Sequence, residues 1–543
     1  MESLYTWKKY DDAVVTKTHG NISLYRDLYE GNHHLLFERA KDLIAKGEIT
    51  SQISEGQKSA ENVRTPYIVA NLSKIIPEIT ATFVSRSIGS IRSSLKPDEE
   101  QNAAANDSTD DAIDGGQGAA NEEIVDVQNE LIKQVIKNSK LTVGEHWSNV
   151  VQQQVDGGLV GVPWKDDNGI SIEFKARDTY FPHLDGNGTD LAFRYELEDE
   201  KGDKVEYLRV YRERIEEGSL TGQHLLFTLN DGGEANKIPD EEVLDILGID
   251  EVETNFKGRS TSLIEYWAND KTFMNPLGVS VLKGQESKQD EINWTLTRNA
   301  IVFERNGKPR IAVSKEVMAE LQRIALARYG DDTKIDSRDL EVTTFDDDGN
   351  SLEVIQIDIS KIGTFENVKN YMKLMLMETQ TSEKAIDFYL DGGGGGAASG
   401  IAKYYDLLMT LIKSQRISEE YSQFLKNLIE SALWLQNKDD SSILIEQPEI
   451  EIKDMIPLTR KEILEMNGAA FADGIQSLET TLKNIHPNAS DQWIEDELTR
   501  IELSSESDDS ATLSGGRDFI GAYMDGRTQR GTAEAPPAGT EEE

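Results

Sequence analysis

The stretch "IDFYLDGGGGGAASGIAKYYDLLMTLIKSQR", residues 386–416, places five consecutive glycines between two segments with the apolar periodicity of helices. The segment after the glycines continues to residue 435 with a wide apolar face that includes Ile401, Tyr404 and Leu408. A surface linker usually mixes glycine with serine, proline and charged residues, and this one does not. The long helices around the glycines therefore set the organisation of the chain.

Two further long helices are predicted before the glycine run. Asn275 followed by Pro276 is a helix start signal, so the first helix is predicted over residues 276–305. Thr364 can cap a second helix over residues 363–390. The two lengths are about 45 and 42 Å, which favours an antiparallel hairpin of helices. Their apolar stripes are Ile292, Leu296 and Phe303 on the first, and Phe365, Val368, Met372 and Met375 on the second.

The 57 residues between these helices, 306–362, predict a small α/β unit. It contains a short strand, "KPRIAVS", a helix, "KEVMAELQRIALARY", and a hairpin, "LEVTTFDDDGNSLEVIQID". The stripes of the two long helices are too narrow for one helical hairpin to be a stable domain, so neighbours must cover them.

The rest of the chain alternates between helical, acidic and β-rich segments. Residues 22–92 and 124–155 are predicted to be mainly helical, and residues 157–267 an antiparallel β unit. Residues 97–130 carry eleven acidic residues and no Lys or Arg, and most of this segment (97–121) is interpreted as disordered. Residues 456–504 are predicted to be helical, with starts at Thr459 and Ser490, and residues 505–543 are predicted to form a disordered acidic tail.

Composition excludes several classes of protein. The formal net charge of −42 argues against tight binding of nucleic acid through phosphate neutralisation. Cysteine is absent, which removes thiolate metal sites and Cys nucleophiles and fits a reducing cytoplasm. No apolar run reaches the roughly 18 residues of a membrane span, and the first residues do not have a signal-peptide core.

No motif in the sequence predicts catalysis, a metal or a cofactor. The glycine run is not a P-loop, because Lys403 comes too late after Gly400 and the run follows a helix. The stretch "DGNGTDLAFRYE" (185–196) has Asp190 where a calcium loop needs glycine, so a hairpin turn is favoured. "TTFDDDGNS" (343–351) does not match a calcium loop either and is also predicted to be a hairpin turn. Asp156, Gly158 and Gly161 resemble a dinucleotide-binding motif only weakly, so they do not predict nucleotide binding. The adjacent His33 and His34 are poor metal partners and are predicted to be helix-surface residues.

The order of these parts resembles the portal proteins of tailed bacteriophages, in particular those of long-tailed phages that infect Gram-positive bacteria. The resemblance rests on "SGIAKYYDLLMTLIKSQR" (399–416), "TPYIVANLSKIIPEITATFVSRSIG" near the start, and "LTRKEILEMN" with "SLETTLKNIHPNASDQWIEDELTRI" near the end. It covers roughly residues 22–503. The acid-rich segment 97–130 and the length of the glycine run depart from the family pattern.

The resemblance implies an α+β, portal-like fold assembled as a ring. Its parts would be an N-terminal arm (1–21), a mixed α/β wing (22–274), long antiparallel stem helices (276–305 and 363–390), a small α/β clip (306–362), a tunnel loop (391–399), a wing helix and connection (400–455) and a helical crown (456–504). The tunnel loop would face DNA with Asp391, Gly392, Gly393, Gly394, Gly395, Gly396, Ala397, Ala398 and Ser399. Channel-lining candidates are Lys369 and Lys373, and clip docking candidates are Arg305, Lys308, Arg310, Arg323 and Arg328.

The resemblance also implies function and partners. Such a ring, typically a dodecamer, forms the DNA channel at one capsid vertex of the virion and is assembled in the host cytoplasm. It docks the terminase for DNA packaging, then the head-completion connector or adaptor and the tail, and it passes DNA on ejection. Major capsid and scaffold proteins are further expected partners, duplex DNA would pass without tight binding, and no membrane, cofactor or enzymatic activity is expected. The alternatives are an acidic virion or scaffold protein that does not form rings, and a metal-dependent nuclease.

Overall fold

The computed structural model describes residues 12–51, 65–95, 127–166, 169–198, 204–229, 235–306, 310–313, 315–330, 352–355, 365–390, 400–439, 443–455, 460–486 and 489–507. The chain divides into two compact units, Met1–Met455 and Ile456–Glu543. Several predicted features lie outside the described residues: the acidic segment 97–121, the stretch 343–351, the two capping residues Thr364 and Thr459, and the glycine run 391–399.

Helices dominate the first part of the larger unit. They are α1 (Asp12–His19), α2 (Ile22–Glu30), α3 (His33–Leu36), α4 (Glu38–Ala45), α5 (Leu72–Ser87), α6 (Val127–Asn138) and α7 (Val143–Asp156). Strand β1 (Ile88–Arg92) follows α5 directly. The described part of residues 22–92 is mainly helical, as predicted, but within the stretch "TPYIVANLSKIIPEITATFVSRS" (65–87) the helix begins only at Leu72. Asn71 caps it by accepting a hydrogen bond from the Lys74 N–H at 3.1 Å.

The β unit predicted for residues 157–267 is confirmed as antiparallel sheets. Its strands are β2 (Gly158–Asp166), β3 (Gly169–Ala176), β4 (Tyr180–Pro182), β5 (Gly188–Glu198), β6 (Lys204–Glu216), β7 (Ser219–Leu229), β8 (Ala235–Lys237), β9 (Glu253–Lys257) and β10 (Glu265–Ala268). One sheet has the order β10-β2-β3. The larger has the order β4-β5-β6-β7-β8, with β9 also paired to β7. Helix α8 (Asp240–Leu247) lies between β8 and β9.

The helix predicted over residues 276–305 begins ten residues later, as α9 (Glu286–Asn306). Asn275 and Pro276 form a turn instead, in which the Gly278 N–H donates to the Asn275 carbonyl at 3.0 Å. Gly278 and Gly284 have φ of 78° and 83°, which a helix does not allow. A Cβ on Gly278 would lie 2.4 Å from the Gly157 carbonyl oxygen, so this loop packs closely on the end of α7.

The second predicted long helix is divided into two. Helix α11 (Phe365–Glu378) ends before Gln380, whose φ is 54°, and helix α12 (Glu383–Leu390) follows. The Thr381 N–H bonds the Leu376 carbonyl at 2.8 Å, and the Thr379 hydroxyl bonds the Met375 carbonyl at 2.8 Å. The apolar periodicity continues through "TQTS" (379–382), but the helix ends there. The hydroxyl side chains explain this, because they compete with backbone N–H groups for the carbonyls of the last turn.

Between α9 and α11 the structure describes β11 (Arg310–Val313), α10 (Lys315–Tyr329) and β12 (Leu352–Ile355). Strands β11 and β12 pair antiparallel, Arg310 with Ile355 and Val313 with Leu352. The predicted strand and helix of this α/β unit are confirmed. Of the predicted hairpin, only the second strand lies within the described residues.

The main core forms around helix α13 (Gly400–Asp439). One face of this helix is buried against α5, β2, β3 and β10, and its Tyr421 hydroxyl contacts His146 of α7. Tyr421, 0% exposed, stacks on Trp267 with ring centroids 4.9 Å apart. Strand β13 (Glu449–Ile452) then pairs antiparallel with β1. The long helix therefore joins the helical and the β-rich parts of this unit.

The smaller unit consists of three helices in its described part: α14 (Arg460–Ala472), α15 (Leu478–Ile485) and α16 (Asp491–Ser507). Ser477 caps α15 by accepting from the Thr480 N–H at 3.2 Å. Ser490 accepts from the Trp493 N–H at 3.2 Å, so the predicted helix start at Ser490 is confirmed.

Candidate functional site

The candidate site is the helix pair formed by α9 and α11. Near the start of α9, the Lys288 ammonium contacts the Glu378 carboxylate at the end of α11, with Nζ and Oε2 2.8 Å apart. Gln285 donates to the same oxygen at 2.9 Å. These two donors lower the pKa of Glu378. Because the start of one helix meets the end of the other, the pair is antiparallel, as the sequence predicts.

The apolar faces of the pair meet each other and the first turns of α5. The buried members of this cluster are Leu72, Ile76, Ile292, Val368, Met375 and Leu376. Burying each such side chain fully contributes about 1.5–3 kcal/mol. The predicted stripe is thus partly covered within the chain itself, by Leu72 and Ile76. The cover does not extend to Phe303, near the far end of α9, which is 57% exposed.

A row of polar residues at every fourth position joins α9 to the extended segment before α5. Gln289, Asn293 and Thr297 are all 0% exposed. Thr297 accepts from the Ile68 N–H at 2.9 Å, and Asn293 accepts from the Ala70 N–H at 3.1 Å. Gln289 donates to the Ala70 carbonyl at 2.7 Å. We call residues 289, 293 and 297 the polar ladder. Their side chains form hydrogen bonds with backbone groups, and burying those groups without partners would destabilise the protein.

His33 extends this hydrogen-bond network to the N-terminal helices. Its Nε2 lies 2.8 Å from the Leu28 carbonyl, which can only accept, so Nε2 carries the proton. Its Nδ1 then accepts from the Asn293 amide at 2.8 Å. Burial lowers the pKa of His33, which favours this neutral form. The prediction that His33 is a helix-surface residue is wrong, because the side chain is 0% exposed.

The break between α11 and α12 is held by α13. The Lys413 ammonium donates to the Thr379 carbonyl at 2.9 Å, and the Ser382 N–H donates to the Thr410 hydroxyl at 2.7 Å. The Ser382 hydroxyl donates to the Asp406 carbonyl. Burial lowers the pKa of Lys413 to about 8. A cation at the carboxyl end of α11 also interacts favourably with the helix dipole.

The predicted channel-lining lysines lie one turn apart on α11, and both are exposed. Lys373 lies 3.5 Å from Glu383 at the start of α12, so part of its charge is offset. On α10, Arg323 and Arg328 are exposed, whereas Leu321 and Ala325 face inward. The structure therefore places these four of the seven predicted cations on solvent-facing surfaces.

Other predicted site residues are only partly described. Arg305 belongs to α9 and Arg310 to β11, but their side chains lie outside the described set, as does Lys308. The predicted tunnel loop, residues 391–399, lies outside it as well. Helix α13 begins directly after this loop, at Gly400.

The stretch tested as a calcium loop is a hairpin turn, as predicted. The His183 N–H bonds the Gly188 carbonyl at 2.9 Å, and β4 pairs antiparallel with β5. Asp190 is buried, with its Oδ1 2.9 Å from both Arg212 Nε and His183 Nε2. Within the described ranges no group of three or more His, Asp or Glu could hold a metal ion. No helix there is long and apolar enough to span a bilayer.

Comparison with known proteins gives weak likeness to phage-like particles. The chain is similar to a chain of the virion of a native gene transfer agent particle, at 10% identity and a TM-score of 0.35. That match covers 66% of this chain and 82% of the other. A chain from the neck of the same kind of particle, computed with C12 symmetry, matches at 10% identity and a TM-score of 0.33, covering 66% and 88%. No family model and no curated protein matches the sequence.

Proposed function

We propose that this chain is a subunit of a portal-type ring, the DNA conduit at one vertex of a phage capsid. One observation carries the proposal: an antiparallel pair of helices, α9 and α11, with a small α/β unit inserted between their distant ends. At the end away from this unit the pair packs on α5. A helix pair with a unit inserted at its far end suits a stem that carries a docking unit.

Uncovered apolar residues on the pair support assembly with further copies. Phe303 on α9 is 57% exposed, and Leu374 and Met377 on α11 are 41% and 68% exposed. The chain's own core covers the opposite face of the same helices. In a ring, adjacent copies would bury these side chains, which adds a favourable apolar term for each one.

The charge of the chain supports a conduit that DNA passes without adhering. A subunit with a net charge of −42 repels phosphate, and each copy in a ring multiplies that charge. In this proposal, residues 391–399 form the tunnel loop and Lys369 and Lys373 are the channel-facing cations on α11. The unit around α10 docks the terminase and later the connector. The proposed role is structural, without catalysis or a cofactor, and its place is the virion.

The test is the oligomeric state of the purified protein, measured by negative-stain microscopy and light scattering. We expect closed rings with an axial hole and a mass near that of twelve subunits.

A double variant, F303E/M377E, should fail to form rings because it places carboxylates in the proposed interface. The matched control is L184E, since Leu184 is fully exposed in the turn between β4 and β5. A stable, well-folded monomer at micromolar concentration would support the acidic scaffold alternative instead.

A further inference from the structure

A polar cavity of about 360 Å³ lies beside the loop that leads into α9. Its walls come from the end of α1, the start of α2, the turn before β4 and residues 274–283. The cavity is independent of the helix pair described above, and none of the proposed roles uses it.

The cavity contains a buried, incompletely paired cation. Arg177 lines it and is only 6% exposed. One terminal nitrogen, NH1, donates to the backbone carbonyls of Asp156 and Gly278 at 3.0 and 3.1 Å. Its Nε–H has no hydrogen-bond partner in the described part of the chain. A buried guanidinium with an unpaired donor is costly, and an anion beside Arg177 would stabilise its charge.

The charge around the cavity is positive, although the whole chain is strongly acidic. Lys17 and Lys283 also line it, with exposed side chains. The lining carboxylate, Asp156, accepts from Arg26 Nε and NH2 at 2.9 and 2.7 Å, and Arg26 NH1 also donates to Asp178 at 2.9 Å. The nearby Glu286 carboxylate accepts a hydrogen bond from Tyr25. Three cations thus line the cavity, and a fourth, Arg26, pairs with both its one lining carboxylate, Asp156, and the neighbouring Asp178.

Two further features favour an anion at this place. Helix α2 begins here with Asn21 and Ile22, and the Asn21 side chain does not cap its first turn. The amino end of a nine-residue helix therefore presents its positive dipole end to the cavity. The imidazole of His19, 6% exposed, forms part of the wall. Burial lowers its pKa to about 4, so it is neutral at physiological pH and can donate one N–H.

We propose that this cavity binds a small oxyanion of the phosphate class, held by Arg177, Lys17, Lys283 and the start of α2. The Arg177 guanidinium and the two lysines, which line the cavity, would neutralise the charge of a bound phosphate. The anion would connect the N-terminal helices to the loop before α9. It would thereby stabilise the position from which the helix pair starts.

The direct test is calorimetric titration of the full-length protein with inorganic phosphate, together with thermal unfolding in phosphate or chloride of equal ionic strength. We expect one site per chain and a melting temperature about 2 °C or more higher in 20 mM phosphate than in matched chloride. Adenosine monophosphate and adenosine separate the sources of the phosphate group. Tighter binding of the monophosphate than of free phosphate would identify a phosphate ester as the ligand, and equal binding would identify the free anion.

Variants make the test specific. The double variant K17E/K283E changes exposed side chains, so it should fold and yet bind phosphate at least tenfold more weakly. K257E reverses a charge on the exposed strand β9, away from the cavity, and should bind like the wild type. R177Q should also lose binding. The proposal is overturned if phosphate gives no heat or stabilisation beyond chloride, if K17E/K283E binds as tightly as the wild type, or if adenosine alone binds equally well.

Discussion

The amide of Asn293 donates to Nδ1 of His33 across 2.8 Å, and this hydrogen bond links two segments 260 residues apart in sequence. The same Asn293 accepts from the Ala70 N–H at 3.1 Å. One side chain on α9 thus fixes both the N-terminal helices and the segment before α5. The attachment of the helix pair to the body depends on this polar contact as well as on apolar packing.

We predict that Asn293→Leu destabilises the protein by about 2–3 kcal/mol, because it removes the partner of three groups, His33 Nδ1, the Ala70 N–H and one Gln289 amide N–H. Urea unfolding measures this change. The control is Arg298→Leu, an exposed position on the same helix, which should change the free energy of unfolding by about 0.5 kcal/mol or less. Equal effects of the two substitutions would show that the polar ladder does not anchor the helix.

We also predict that stability falls as the pH decreases from 6.5 towards 4, partly through His146. Its Nδ1 lies 2.8 Å from the Tyr421 hydroxyl in the main core, and burial lowers its pKa from 6.5 to about 4. The unfolded chain takes up a proton below pH 6.5 that the folded core excludes. Each pH unit in this window therefore costs up to about 1.4 kcal/mol.

The measurement for His146 is the free energy of unfolding between pH 7.5 and 4.5 for the wild type and His146→Phe. The variant should show a shallower decline. It should not become flat, because burial also lowers the pKa of His19 and His224, to about 4 and about 3. An unchanged slope in the variant would contradict the assignment of this proton to His146.

The sequence predicts the elements whose pattern is local. The apolar period of α13 and the alternation in the β unit are visible without any partner, and the antiparallel helix pair follows from two such periods. The predicted start of α9 is wrong because Asn275–Pro276 is also a turn signal. The positive φ of Gly278, which decides between a turn and a helix, depends on its contact with Gly157.

The candidate site depends more on distant contacts. Gln289 and Asn293 are polar residues of the kind that usually faces solvent on a helix. They are buried only because the backbone of residues 68–73 lies against them. That segment is more than 200 residues away in sequence. The only local signal is the spacing of four between polar residues next to an apolar stripe. The buried Lys413 is similar, since its partner, the Thr379 carbonyl, belongs to another helix.

We predict weak, sequence-independent binding of duplex DNA, with a dissociation constant above about 1 μM at physiological salt. Phosphate neutralisation supplies most non-specific affinity, and the net charge opposes it. Lys369→Glu with Lys373→Glu should change this constant little, because Lys373 already lies beside Glu383. Fluorescence anisotropy with a random duplex measures it. A nanomolar, strongly salt-dependent constant would refute the prediction.

Charge reversal on α10 tests the proposed docking unit. Arg323→Glu with Arg328→Glu should leave folding and ring assembly intact, because both side chains are exposed and Leu321 and Ala325 form the inner face. DNA packaging in a terminase-dependent assay should fall at least tenfold, since a docking surface would lose two cations. Lys257→Glu is the control outside this unit. Normal packaging by the double variant would remove the docking role from these residues.

The last prediction concerns the glycine run between α12 and α13, and it depends on the proposed ring. Around a channel, copies of residues 391–399 would meet DNA whose helical symmetry differs from that of the ring, so each copy would need its own conformation. Glycine samples both signs of φ without a steric penalty, and it presents no side chain to DNA.

Replacing residues 393–395 with three prolines should leave ring formation and the melting temperature nearly unchanged. DNA packaging or retention should nevertheless be lost, because proline fixes φ near −65°. A variant with three serines in the same places keeps the backbone freer and should retain more activity than the prolines. Rings that package DNA normally with the prolines would show that the run is a simple hinge.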